Sequence, residues 1–163
     1  MMNIEKLLHM QLKLDQHIES EHGLGEEDLV DRKILALLVE IGELANETRS
    51  FKFWSKKGAS AKEVILEEYV DGIHFILSLG LEIGLQEIEL DEKHADAKEL
   101  NEQFLLVYKA VTDFREERSV THYFSLFNHY LTLGETLGFS SSEVFDAYAE
   151  KNKVNYERQE KGY

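Results

Sequence analysis

Two stretches of helical periodicity each carry a pair of acidic residues three positions apart, and no other feature restricts the fold of this chain as much. Glu40 and Glu43 stand in the first stretch, Glu68 and Asp71 in the second. Residues three apart share a helix face, with Cβ atoms about 5–6 Å from each other. If the two helices pack antiparallel, four carboxylates converge in one cleft. Burying carboxylates that close together costs several kcal/mol each unless a cation compensates. Hard divalent cations with oxygen ligands compensate best. The pattern therefore predicts a carboxylate cage for Mg²⁺ between two helices. A plainer alternative stands beside it. With 32 acidic side chains among 163 residues, such pairs also arise by chance on a solvated helix face. Two observations favour the cage: the pairs sit in the most apolar helical stretches, and a short aromatic–lysine segment separates them.

The rest of the chain reads as helix. It contains no proline, and alternating strand patterns between tight turns are scarce. We expect an all-α bundle of about six helices in a single domain over residues 1–163. The first helix spans about residues 3–21 and breaks at Gly23. The second starts near Glu26–Asp28, where acidic groups suit the positive end of the dipole, and runs to about Thr48. Ser60-Ala61-Lys62-Glu63 has the form of a capping box opening a third, nearly all-apolar helix to about Ile83. Residues 91–117 and 119–137 make the fourth and fifth. Ser140-Ser141-Ser142-Glu143 caps the last. The tail from Val154 to Tyr163 is expected to order only with a partner or ligand.

Composition narrows the function. There is no cysteine, which excludes disulfides, thiolate zinc sites and thiol nucleophiles. A formal charge of −14 argues against a nucleic acid polymer as partner, but not against a nucleotide, because bound metal reverses the local sign. The start of the chain lacks the basic and apolar runs of a signal peptide. The apolar run near Ile73–Ile83 is broken by His74, Ser78 and Glu82 and is too short for a membrane span. A cytoplasmic protein is the expectation. The segment Arg49–Ala59 interleaves Phe51, Phe53 and Trp54 with Lys52, Lys56 and Lys57. It reads either as core filler beneath a loop, or as a clamp that stacks on a base or sugar while lysines neutralise phosphate. The basic, amide-rich run from Lys151 to Arg158 is either a solvated helix end or a phosphate site. His74 is nearest the carboxylates, and we expect it to be structural because magnesium prefers oxygen.

Glu40-Ile41-Gly42-Glu43, then Phe51-Lys52-Phe53-Trp54-Ser55-Lys56-Lys57-Gly58, then Glu68-Tyr69-Val70-Asp71 together resemble the dimeric all-α dUTPases. That family belongs to the all-α nucleoside triphosphate pyrophosphatases, with MazG-like and dCTP pyrophosphatase relatives. Gln11-Leu12-Lys13-Leu14-Asp15 resembles the family's N-terminal motif, and Lys151-Asn152-Lys153-Val154-Asn155-Tyr156-Glu157-Arg158 its C-terminal phosphate-binding motif. The resemblance implies hydrolysis of dUTP, and of dUDP, with dUTP giving dUMP and pyrophosphate. Glu40, Glu43, Glu68 and Asp71 would hold Mg²⁺, which activates water for attack on the phosphate chain. Glu43, with Glu40, would serve catalysis by orienting or deprotonating that water. Lys151, Arg158, Lys52 and Lys56 would neutralise phosphate, helped by Asn152, Asn155 and Tyr163. Gln11, Asp15 and Trp54 would line the base and sugar pocket. A homodimer would complete the site, with the aromatic-rich fifth helix as interface.

Asp15 leaves the base open. An ionised aspartate accepts hydrogen bonds but gives none, so it can take the uracil N3–H yet not satisfy a uracil carbonyl, and it would welcome the cytosine amine. A dCTP or other house-cleaning pyrophosphatase is the alternative within the superfamily. A non-catalytic helical interaction module is the alternative outside it.

Overall fold

The computed structural model describes residues 2–90 and 98–162. Six helices follow one another: α1 (Ile4–His22), α2 (Val30–Thr48), α3 (Lys62–Glu82), α4 (Leu100–Glu116), α5 (Val120–Thr136) and α6 (Ser141–Glu160). The described residues contain no strand, as the periodicity predicts. No described helix is long and apolar enough to cross a membrane.

Local chemistry sets most of the ends. Asn3 caps α1 by accepting from the Lys6 amide, and Gly23 closes it in the left-handed conformation at φ 65°, which glycine adopts without a Cβ penalty. Ser140 and Glu143 form the reciprocal capping box of α6, and Ser119 caps α5. Glu99 caps α4, accepting from the Asn101 and Glu102 amides. The expected start of that helix at residue 91 falls on 91–97, outside the described residues.

Three expectations are corrected. α2 starts at Val30 rather than near residue 26; Asp28 instead caps from outside, its carboxylate accepting from the Val30 amide at 3.0 Å. Ser60 does not cap α3, whose first turn has no side-chain cap; its hydroxyl donates to the Glu47 carboxylate across the linker. The chain after Val154 is not left to a partner for order, since α6 runs unbroken to Glu160.

α3 is the central element. It packs against α1, α2, α5 and α6, and from Tyr69 to Gly80 nearly every residue is buried. It runs antiparallel to α2. Lys33, early in α2, reaches Glu82 at the end of α3, while Glu47, late in α2, meets Ser60 just before α3 begins. α3 meets α5 through tyrosines seated on glycines. The Tyr69 and Tyr130 rings stack 4.7 Å apart and within 5° of parallel, and each hydroxyl donates to the other residue's carbonyl. A Cβ at Gly72 would lie 2.0 Å from the Tyr130 hydroxyl, and one at Gly134 would lie 2.3 Å from that of Tyr69. Tyr123, Phe127 and Tyr130 are fully buried within the chain. These three aromatics of the fifth helix are therefore core rather than the expected interface material, while Phe124 on the same helix is half-buried.

Candidate active site

The antiparallel register of α2 and α3 brings the two acidic pairs together. Ligand atoms of Glu40, Glu68 and Asp71 lie within 4.8 Å of one another. Glu43, more exposed, stands close enough to Glu40 and Glu68 for its charge to act on both. Three of the four predicted ligands therefore meet at one point, with the fourth, Glu43, beside them. Glu40 Oε2 and Glu68 Oε2 are buried without a hydrogen-bond partner, an arrangement that costs free energy when nothing compensates. Burial, then repulsion from Asp71 and Glu43, raises Glu40 to about 8. The same causes raise Glu68 to about 7. Asp71 is also raised, by burial, against the pull of Lys151. Unpaired, crowded carboxylate oxygens on a shared cleft fit a hard divalent cation.

The cleft opens into a pocket of about 290 Å³ whose walls come from α1, α2, α3 and α6. Glu40 and Asp71 stand at one side, and Gln11, Asp15, His74 and Ser78 line the other. Lys151, Asn155 and Arg158 also face it, spaced three and four apart on one side of α6. Lys151 pairs with Asp71 at 3.2 Å and with Glu67 at 3.1 Å. Burial disfavours its charge, but those two carboxylates outweigh this and its pKa is raised.

Asp15 sits inside a polar network. Its Oδ1 accepts from Gln11 Nε2 at 2.8 Å and its Oδ2 from the Ser78 hydroxyl at 2.6 Å. Lys33 lies 3.8 Å from Oδ2, and also 3.8 Å from Glu19 and 2.5 Å from Glu82. Burial raises the pKa of Asp15, and Lys33, Ser78 and Gln11 oppose it.

Other predicted residues lie elsewhere. Asn152 is buried and its amide donates toward the Met10 carbonyl, so it braces α6 on α1. Lys52, Trp54 and Lys56 belong to the α2–α3 connection and are not among the pocket's lining residues. That connection is pinned by Arg49, which donates to the Lys57 carbonyl and the Ser55 hydroxyl, yet it exposes 93% of Phe53 and 65% of Trp54. Tyr163 lies outside the described residues.

Sequence reasoning missed Lys33 and Tyr148. Both had a signal. Lys33 falls three positions after Val30 and four before Leu37 on the buried stripe of α2, and Tyr148 falls four after Val144 on that of α6. A charge or hydroxyl at such a position needs a buried partner.

A family model described as dUTPase matches residues 3–163, nearly the whole chain. The chain belongs to the all-α dUTPase family. Its activity is accordingly that of a dUTP diphosphatase, and the family's use of divalent metal agrees with the acidic cluster. The reading as a non-catalytic interaction module is thereby set aside. No curated protein matches this dUTPase family member.

Proposed function

We propose that this chain is a Mg²⁺-dependent enzyme that hydrolyses dUTP to dUMP and pyrophosphate and also accepts dUDP, in the cytoplasm and as a homodimer. The observation that carries the proposal is the continuity between the acidic cluster and the pocket. Groups suited to a cation, to phosphate and to a base follow one another within a few helical turns.

Glu40, Glu43, Glu68 and Asp71 would hold Mg²⁺, which when bound supplies charge neutralisation and an acidified water. Glu43 is the most exposed of the four and suits a role in orienting or deprotonating that water, with Glu40 beside it. Lys151 pairs with Asp71 and Glu67; with Asp71 engaged by a cation, its ammonium would be available to neutralise phosphate. Arg158 and Asn155 face the same space. At the other end Asp15 accepts the uracil N3–H, and the second N–H of Gln11 supplies the donor that a uracil carbonyl needs. Such preorganised charges and donors are the main requirement of phosphoryl transfer.

Incubation of the pure protein with Mg²⁺ and a panel of dUTP, dUDP, dCTP, dTTP and UTP tests this. Preferential release of dUMP and pyrophosphate from dUTP is the expected result. Preferred release of dCMP would overturn the base assignment and keep the phosphate chemistry. Equal turnover in the presence of a chelator would overturn the metal requirement.

A further inference from the structure

A chain of hydrogen bonds at the base end of the pocket does work that the reaction outlined above leaves unassigned. Gln11 is only 3% exposed, and both ends of its amide are held. Nε2 donates to Asp15. Oε1 accepts from the Tyr148 hydroxyl at 2.8 Å and meets His74 Nδ1 at 2.7 Å. The polarity of the chain starts at Asp15, which Lys33 and the Ser78 hydroxyl hold as an acceptor. Gln11 must therefore donate to it, which turns the amide oxygen toward His74 and Tyr148. A carbonyl oxygen only accepts, so His74 carries its proton on Nδ1. Nε2 is then a lone pair, in keeping with its burial without a partner. Burial, aided by Lys151, keeps the ring neutral, with a pKa lowered to about 3. The ring lies flat on Tyr148, 4.1 Å between centroids, so the two donors support each other. A second contact of the Tyr148 hydroxyl, to the Leu7 carbonyl, is longer at 3.3 Å.

Turning the amide over would set its oxygen against the Asp15 carboxylate, and would force His74 into its other tautomer and the Tyr148 hydroxyl round to the Leu7 carbonyl. Only one orientation survives. In that orientation the second N–H of Gln11, which no described residue accepts, remains for the pocket that Gln11 lines.

We infer that Tyr148 and His74 are positioning residues for base selection: by holding the Gln11 oxygen they fix a donor beside the Asp15 acceptor. A uracil edge brings a carbonyl beside N3–H and meets both. An amide free to turn over would oppose the uracil carbonyl with its own oxygen, and would suit the cytosine amine instead. The inference rests on the proposed reading of Gln11 and Asp15 as the base contacts.

Steady-state kinetics of Tyr148→Phe with dUTP and dCTP at saturating Mg²⁺ test it. Phenylalanine keeps the ring and its stack on His74. KM for dUTP should rise about three- to tenfold, the range for one lost hydrogen bond, with kcat falling less than KM rises. The ratio of kcat/KM for dUTP over dCTP should fall by a similar factor. A mere packing defect would weaken both nucleotides alike, and an unchanged ratio overturns the inference. If Tyr148→Phe does not fold, His74→Phe, which also keeps a ring against Tyr148, is read for the same ratio. Gln11→Leu separates the two levels. If it leaves the dUTP KM and the ratio unchanged, the base-contact reading itself fails. If it collapses the ratio while Tyr148→Phe does not move it, only the positioning role fails. With both substitutions together, Tyr148→Phe should add nothing to the Gln11→Leu ratio; a further drop of the original size overturns the relay.

Discussion

Glu40 and Glu68 each hold an oxygen out of water with no donor to meet it, and this fixes how the metal-free protein must respond to pH. Both pKa values are raised in the folded state, to about 8 and about 7. The folded protein therefore binds more protons than the unfolded chain between the ordinary glutamate range and those values. Stability is greatest below that ordinary range and is lost as pH rises through about 7 to 8. In thermal melts with chelator, the melting temperature should fall steadily from pH 5 to pH 8.5. Added Mg²⁺ competes with the protons, so its stabilising effect should be small at pH 5 and large at pH 8. Glu40→Gln removes one charge from the cluster; it should raise the metal-free melting temperature at pH 8 and diminish the response to Mg²⁺. A parent protein whose metal-free stability rises over this pH span would show that the four carboxylates are not crowded as described. Lys151 tempers the effect, since its ammonium already offsets Asp71.

Helices α3 and α5 are joined by shape as much as by hydrophobic area. Gly72 sits mid-helix, where glycine ordinarily costs about 0.5–1 kcal/mol relative to alanine. At an open site Gly→Ala would stabilise. Here the new Cβ would stand 2.0 Å from the Tyr130 hydroxyl and 2.6 Å from the ring carbon that bears it. The ring is wedged against Tyr69 and its hydroxyl is bound to the Tyr69 carbonyl, so it cannot give way cheaply. Gly72→Ala should destabilise the protein by about 1–3 kcal/mol, the usual cost of overpacking, in urea titrations at fixed Mg²⁺. A neutral or stabilising result would mean that the stacked tyrosines can separate. The same elements show what a sequence conveys and what it withholds. The end of α1 and the start of α6 were legible because Gly23 and Ser140 act on their own neighbours. Ser60 was misread because its hydroxyl found Glu47 in another helix, a partner no local pattern contains. The aromatics of α5 suggested an interface because composition shows that a side chain needs burial, not which neighbour provides it; Gly72, Gly80 and Gly134, each matched to a tyrosine, were the overlooked sign. The acidic pairs were legible because three-residue spacing and antiparallel packing together dictate convergence. The relay from Lys33 to Tyr148 was not, since it joins α1, α2, α3 and α6 by contacts far apart in the chain.

Across the whole molecule, the exposed apolar side chains are unevenly placed. Leu35 and Val39, one helical turn apart on α2, are 65% and 51% exposed, and Leu105 on α4, which packs beside α2, is 69% exposed. The ordered α2–α3 connection adds Phe53 and Trp54. Apolar surface grouped on adjoining elements marks a contact surface more often than isolated exposed leucines do. In the proposed homodimer this is the side that a partner would cover. Such a dimer would also give the aromatic–lysine segment a use, because Lys52, Trp54 and Lys56 do not line their own chain's pocket and would be placed to serve a partner's. Each chain carries a formal charge of −14, so association has to overcome net repulsion and should strengthen with moderate salt. Sedimentation at micromolar concentration is expected to give two chains per particle. Leu35→Glu combined with Val39→Glu should shift this to one chain and lower dUTP turnover at least tenfold if the partner completes the site. Retained helicity and a retained Mg²⁺-dependent melting shift would show that the fold and the carboxylate cluster survive in that variant. A parent protein that sediments as a single chain while hydrolysing dUTP at full rate would remove the dimer from the proposal, and with it any role for Trp54 in a neighbouring pocket.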